Sequence, residues 1–168
     1  MWVGANAAPH PLGEVAELAV VTVDTYAPGP PRRAYDLATD MESYPRFMKD
    51  LISVEVLERN GRSQLTAWSG RLQGRVLRWK EKDDFDDSDC VIRYRQIEGD
   101  LRRFEGEWSF VAEGDGTRIT LRVEYEVGIP MLAGLLDPVA GVVIRRNCRD
   151  MLDAMRQRLE QDQTGAPT

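Results

Sequence analysis

The side chains best placed to do chemistry in this chain are amphipathic aromatics and one arginine. In RVLRW, Arg75, Leu77 and Trp79 alternate and so share one face of an extended strand. Tyr94, Trp108 and Tyr125 fall on the apolar faces of later strand-like runs, and Trp68 joins them with its facing ambiguous. Tyrosine and tryptophan combine a large apolar surface with a polar handle, which suits a flat, partly oxygenated ligand. Plain core packing is the alternative for each of them. Arg75 is the sharper case, because a guanidinium in an apolar cavity is costly unless paired. It either turns out to water or waits for an oxyanion or carbonyl. Asn147, in a helical stretch, can hydrogen-bond a ligand or the backbone.

Other chemistries are poorly supplied. The one histidine, His10, stands in a Pro- and Gly-rich tail. A Ser-His-Asp or Cys-His arrangement would have to draw on that tail, and no metal site could use several histidines. No metal or other cofactor is expected. Cys90 and Cys148 lie far apart and read as free buried thiols in a reducing compartment. The sequence contains no CxxC, GxGxxG or GxxxxGK[ST]. A net charge of −6 argues against a general nucleic-acid binder. No apolar run approaches the ~20 residues of a spanning helix, and the opening MWVGANAAPHPLG lacks the pattern of a signal peptide. The expected location is the cytoplasm, and a homodimer is compatible with the sequence.

At 168 residues, 42% hydrophobic and 30% charged, the chain reads as one soluble domain. That domain is expected over residues 14–161, with 1–13 and 162–168 as flexible ends. LAVVTVDTY reads as a first strand, and the prolines before RRAYDLATD suit a helix start. In DMESYPRFM, Met41, Tyr44, Phe47 and Met48 are spaced like one helix face, with Asp40 able to cap and Pro45 shortening the helix. From Leu51 to Val127 the period becomes two. Asn60-Gly61 marks a hairpin, and DDFDDSD reads as an acidic turn. In the last of these runs Ile119, Leu121, Val123, Tyr125 and Val127 share one face, opposite Thr120, Arg122, Glu124 and Glu126. After Pro130 an apolar stripe returns at helical spacing, from Leu132 and Leu135 through Val142, Cys148 and Met155 to Leu159. Pro138, with Gly134 and Gly141, is expected to bend or divide it, leaving a main helix over about 139–160.

The implied fold is α+β: about seven antiparallel strands curled around a long C-terminal helix, with two short helices after the first strand. Such a sheet is wider than one helix can fill, so a cavity between them is expected. A continuous cavity above roughly 300 Å³ is expected, and a space filled below that size would count against ligand binding.

The chain resembles the START-like helix-grip superfamily, of the polyketide aromatase/cyclase and coenzyme-Q-binding type. The resemblance rests on AYDLATDMESYPRFMKDLISVEVLERNG, on IEGDLRRFEGEWSF and on RVLRW, and it covers about residues 34–160. It implies that the short helix pair gates the cavity, that Tyr44 and Phe47 turn inward beside Pro45, and that Arg75, Leu77 and Trp79 face the interior. It also implies a hydrophobic ligand: an aromatic polyketide, a lipid or an isoprenoid quinone. Where the cyclases have a tyrosine and an arginine proposed to act on the polyketide, this chain has Leu51 and Asp83. Asp83 is expected to be solvated in its acidic turn. The competing functions implied are an aromatase/cyclase catalysing aldol closure and dehydration, and a ribosome-association regulator.

Overall fold

A computed structural model describes residues 18–72, 74–126 and 133–164. Strand β1 (Ala19–Pro28) leads into helix α1 (Pro31–Thr39) and a 3-10 helix (Met41–Arg46). Strands β2 (Leu51–Asn60), β3 (Ser63–Leu72), β4 (Arg75–Asp86), β5 (Val91–Gly99), β6 (Arg103–Glu113) and β7 (Gly116–Glu126) follow. Helix α2 (Ala133–Thr164) comes last. The strands form a single antiparallel sheet in the order β1-β7-β6-β5-β4-β3-β2, so each hairpin neighbour in sequence is a neighbour in space. Only β1 crosses, to pair with β7 from Ala19↔Tyr125 to Pro28↔Gly116. The curved sheet holds α2 against its inner face, as the sequence pattern anticipates.

Local chemistry explains most boundaries. Pro31 occupies the first turn of α1, where a missing N–H leaves nothing unpaired. Pro45 sits inside the second helix and holds it to six residues of 3-10 form. Asp40 does not cap it with its side chain; its backbone carbonyl instead accepts from Ser43 N at 3.0 Å and Ser43 Oγ at 2.7 Å. Between β2 and β3 the register closes at Asn60↔Ser63, so the loop is Gly61-Arg62, with Gly61 at φ 59°. Glycine takes that conformation without a Cβ penalty.

In β7, Ile119, Leu121, Val123 and Tyr125 are all buried, as their alternation requires; Val127 lies outside the described residues. In α2 the inward stripe is Ile144, Cys148, Leu152, Met155 and Leu159. Val142, assigned to that stripe by spacing, is 68% exposed, and Ile144 takes the inward place. Pro138 does not divide the helix, which runs unbroken from Ala133. A proline so near a helix start removes one intrahelical bond, and the remaining turns carry the element. His10 and the side chains of Leu132, Leu135, Leu136 and Val139 lie outside the described residues. Cys90 and Cys148 are free thiols, the first half-buried and the second buried.

The acidic segment departs most from its sequence reading. Strand β4 continues through Asp86, pairing Asp83↔Tyr94 and Phe85↔Ile92 with β5, and Asp83↔Gln64 with β3. The turn shrinks to residues 87–90. Asp83 is therefore a buried strand residue and not a solvated turn residue. Two flanking strands supply its backbone partners, and that overrides the weak strand propensity of aspartate.

Candidate functional site

The β3–β4 hairpin builds the site's aromatic wall. Trp68 lies directly opposite Trp79 in the register, so both side chains leave the sheet on one face. Their rings stack at 5.7 Å with an interplanar angle of 10°. Phe104 from β6 meets Trp79 edge-on at 6.2 Å and Tyr94 at 5.7 Å. Tyr44, from the 3-10 helix, closes the other side against Trp68 at 5.9 Å. Ile144, Asn147, Cys148 and Met151 of α2 face this wall, and between them lies a cavity of about 130 Å³.

That volume is smaller than the roughly 300 Å³ taken as the least for a small-molecule site. The stacked indoles and Tyr44 occupy space that a wider grip would leave open. An apolar cavity of ~150 Å³ admits one benzene-sized ring. The cavity is thus sized for one ring, and a larger guest requires displacement of the 3-10 helix or of the wall's side chains.

Of the side chains singled out in the sequence, Tyr44, Trp68, Leu77, Trp79, Tyr94, Trp108 and Asn147 line the cavity together. Three do not. Arg75 is exposed at the hairpin end of β4, paired with Leu72. Its face was legible from alternation, but its place at the strand's end puts it in water and not in the cavity. Phe47 packs edge-on against Tyr44 and lines a separate surface cleft with Asp150 and Gln157. Phe47 falls just past the end of the 3-10 helix, where the backbone leaves helical geometry at φ −134°, so the helical spacing that pairs it with Tyr44 no longer sets its direction. Tyr125 is buried, but it is directed toward Gly141 of α2, outside the described lining of the cavity.

The polar handles are mostly spent within the wall. Tyr44 donates its hydroxyl to the Ala38 carbonyl at 2.6 Å, tying the 3-10 helix to α1. Tyr94 donates to the Arg122 carbonyl at 3.3 Å. Gly106 makes that reach feasible, because a Cβ there would stand 2.6 Å from the Tyr94 hydroxyl and 1.9 Å from the Arg122 oxygen. Trp68 Nε1 donates to Thr66 Oγ1 at 2.7 Å, and Thr66 in turn donates to Asp83 Oδ2 at 2.8 Å. Trp79 Nε1 donates to Glu81 Oε2 at 2.8 Å.

Glu81, which lines the cavity, was not singled out in the sequence, nor was the burial of Asp83. One signal was available: Glu81, Asp83 and Phe85 continue the inward period of Leu77 and Trp79. Burial raises the Glu81 carboxyl well above the carboxylate range, and the charge of Asp83 adds to it. Burial also lifts Asp83 to about 6, opposed by hydrogen bonds from Thr66, Glu81 and Gln64. Leu51, at the position of the cyclases' tyrosine, supplies only apolar surface to the lining.

A helix-grip sheet with an aromatic cavity under its long helix defines a hydrophobic-ligand class of protein. The chain belongs to the family described as "Polyketide cyclase / dehydrase and lipid transport", whose profile matches residues 27–156. It is 31% identical over 129 residues to the actinorhodin polyketide synthase bifunctional cyclase/dehydratase of Streptomyces coelicolor. That match covers 73% of this chain but only 40% of the relative, so the chain spans less than half of that protein. The ribosome association toxin RatA of Pseudomonas aeruginosa is 27% identical over 143 residues, covering 80% of this chain and 90% of RatA. The crystal structure of TTHA0849 from Thermus thermophilus superposes with a TM-score of 0.82 at 34% identity, covering 86% of this chain and 99% of that one. Among the described residues, no helix is long and apolar enough to cross a membrane.

Proposed function

We propose that this protein binds a hydrophobic, ring-containing small molecule between its sheet and α2. The observation that carries this reading is the continuous aromatic wall of Tyr44, Trp68, Trp79 and Phe104 facing an unfilled apolar space. A core built for stability alone closes such a space, since each unfilled volume forfeits dispersion contacts. Family membership supports the same assignment. The reading takes the cytoplasm as the location and no nucleic acid as partner, and the net charge of −6 supports the second point.

The test is native mass spectrometry of freshly purified full-length protein, followed by titration of the stripped protein with benzene-sized and naphthalene-sized hydrocarbons. Quenching of tryptophan emission reports the occupant directly, because Trp68 and Trp79 form the wall. Retention of a small molecule, or saturable quenching, is the expected result. Absence of both retention and quenching would sink the assignment.

A second reading, a cyclase acting on a poly-β-ketone chain, is favoured by the 31% identity to a cyclase/dehydratase. Holding a chain in a folded conformation supplies much of an intramolecular rate without a dedicated nucleophile. Turnover of a polyketide mimic would select it over simple binding.

A further inference from the structure

The cavity contains one chemical arrangement that simple greasy storage does not use. Glu81 and Asp83 stand two residues apart on β4, so both project from its inner face. They are 5% and 0% exposed. Asp83 Oδ2 accepts from Thr66 Oγ1 at 2.8 Å and from Gln64 Nε2 at 3.5 Å. Its Oδ1 is buried with no N–H or hydroxyl donor. The Glu81 carboxyl is within hydrogen-bonding reach of Asp83, a contact that is attractive only when one of the two carries a proton. Neither carboxyl forms an ion pair among the described residues. Two adjacent carboxylates without a cation cannot both ionise in such a place.

We infer that Glu81 and Asp83 form a one-proton dyad that serves as the cavity's polar recognition element, accepting neutral ligands with a phenolic or enolic hydroxyl and rejecting carboxylates. The inference rests on the cavity being a ligand site, as proposed above. Glu81 is the member that reaches the cavity. Its proton is held against Asp83, and the ligand's hydroxyl donates to the pair, which carries a single negative charge. The hydrogen bond to Glu81, strengthened by the charge its proton faces on Asp83, favours the hydroxylated ligand by up to about tenfold over a hydrocarbon of equal size. A ligand carboxylate would place a second negative charge beside the first, and the guanidinium in the described lining, Arg71, is exposed to solvent and screened.

The neighbours leave the dyad as the titrating element. Tyr44 from the 3-10 helix and Tyr94 from β5 are driven well above their ordinary range by burial. Burial pushes the Cys148 thiol of α2 up to about 12. Asp84, on the same strand, adds a like charge that favours the protonated form of Asp83. Asp50 and Arg71 contribute a carboxylate and a guanidinium nearer solvent.

The experiment is calorimetric titration of the full-length protein with naphthalene, 2-naphthol and 2-naphthoate at pH 7.5 and pH 5. In the wild type, 2-naphthol is expected to bind about tenfold tighter than naphthalene at pH 7.5. At that pH 2-naphthoate should bind at least about tenfold weaker than naphthalene, and it should recover at pH 5 as the dyad becomes neutral. Asp83→Asn keeps the shape and removes the charge. It should restore 2-naphthoate binding at pH 7.5, leaving only the ligand's own protonation in the pH dependence, and it should shrink the hydroxyl preference. Glu81→Gln is the second variant and should also lose that preference. Wild-type binding of all three ligands with equal affinity would overturn the dyad while leaving the cavity reading intact. So would the same discrimination persisting in both variants. Binding of none of them, nor of the one-ring benzene and phenol, would remove the cavity reading, and the dyad's role with it.

Discussion

Replacing Asp83 with asparagine should stabilise the protein at high pH and leave it nearly unchanged at low pH. Asp83 has its proton affinity raised by burial, from 3.8 to about 6 in the folded state. A raised group binds protons more tightly folded than unfolded, so its favourable contribution is complete at low pH and lost as pH climbs through 6. At ~1.4 kcal/mol per tenfold change in affinity, the fold forfeits about 3 kcal/mol once Asp83 is fully ionised. Asparagine avoids that loss, keeps an acceptor for Thr66 and Gln64, and gives Glu81 a donor. Some hydrogen-bond strength is surrendered, since a charged acceptor is worth more than a neutral one. The net gain should be about 1–2 kcal/mol at pH 8, or roughly 2–8 °C in melting temperature for a chain of this size. Urea unfolding followed by tryptophan emission at pH 4 and pH 8, for both proteins, measures it, because the contribution is lost between about 3.8 and 6. An equal loss of stability at both pH values would refute the reasoning and make Asp83 an ordinary structural acceptor.

The cavity's other features give two further expectations. Tyr44→Phe removes a hydroxyl that points to the Ala38 carbonyl and away from the cavity. It should cost about 1–2 kcal/mol in urea unfolding and leave hydrocarbon affinity within about twofold, because the ring is kept. Arg75→Met should change neither the stability beyond about 0.5 kcal/mol nor the ranking of 2-naphthol, naphthalene and 2-naphthoate in calorimetry, since the arginine is exposed at the hairpin end. A collapsed preference in that variant would return Arg75 to the site.

Much of this architecture was legible without coordinates, because the relevant physics is local. Strict alternation from Ile119 to Tyr125 fixes which face of β7 is buried, since a strand's side chains have no third direction. Pro31 and Pro45 act through their own missing N–H groups, so a helix start and a shortened helix can be read from residue type and position. Gly61 marks its hairpin because few other residues accept its backbone conformation. The element order, and with it the helix-grip fold, follows from where the period switches between two and about 3.6.

The site was legible only in part, because a cavity depends on distances that no local pattern encodes. Trp68 was ambiguous until the β3–β4 register set it opposite Trp79, and a slip of one residue would have turned it outward. Arg75 shares the face of Trp79, but depth along the strand decides between water and cavity, and the hairpin end decides depth. Asp83 and Glu81 show the reverse error. An acidic run looks like a solvated turn when each residue is judged by its own hydration, which favours water. Backbone pairing with β3 and β5 draws the run into the sheet, and alternation then turns the two carboxyls inward. The sequence alone determined the order of the elements and the faces of most of them. Only the tertiary structure decided that two acidic side chains are buried side by side on β4, because that burial is imposed by neighbouring strands against the preference of the residues themselves.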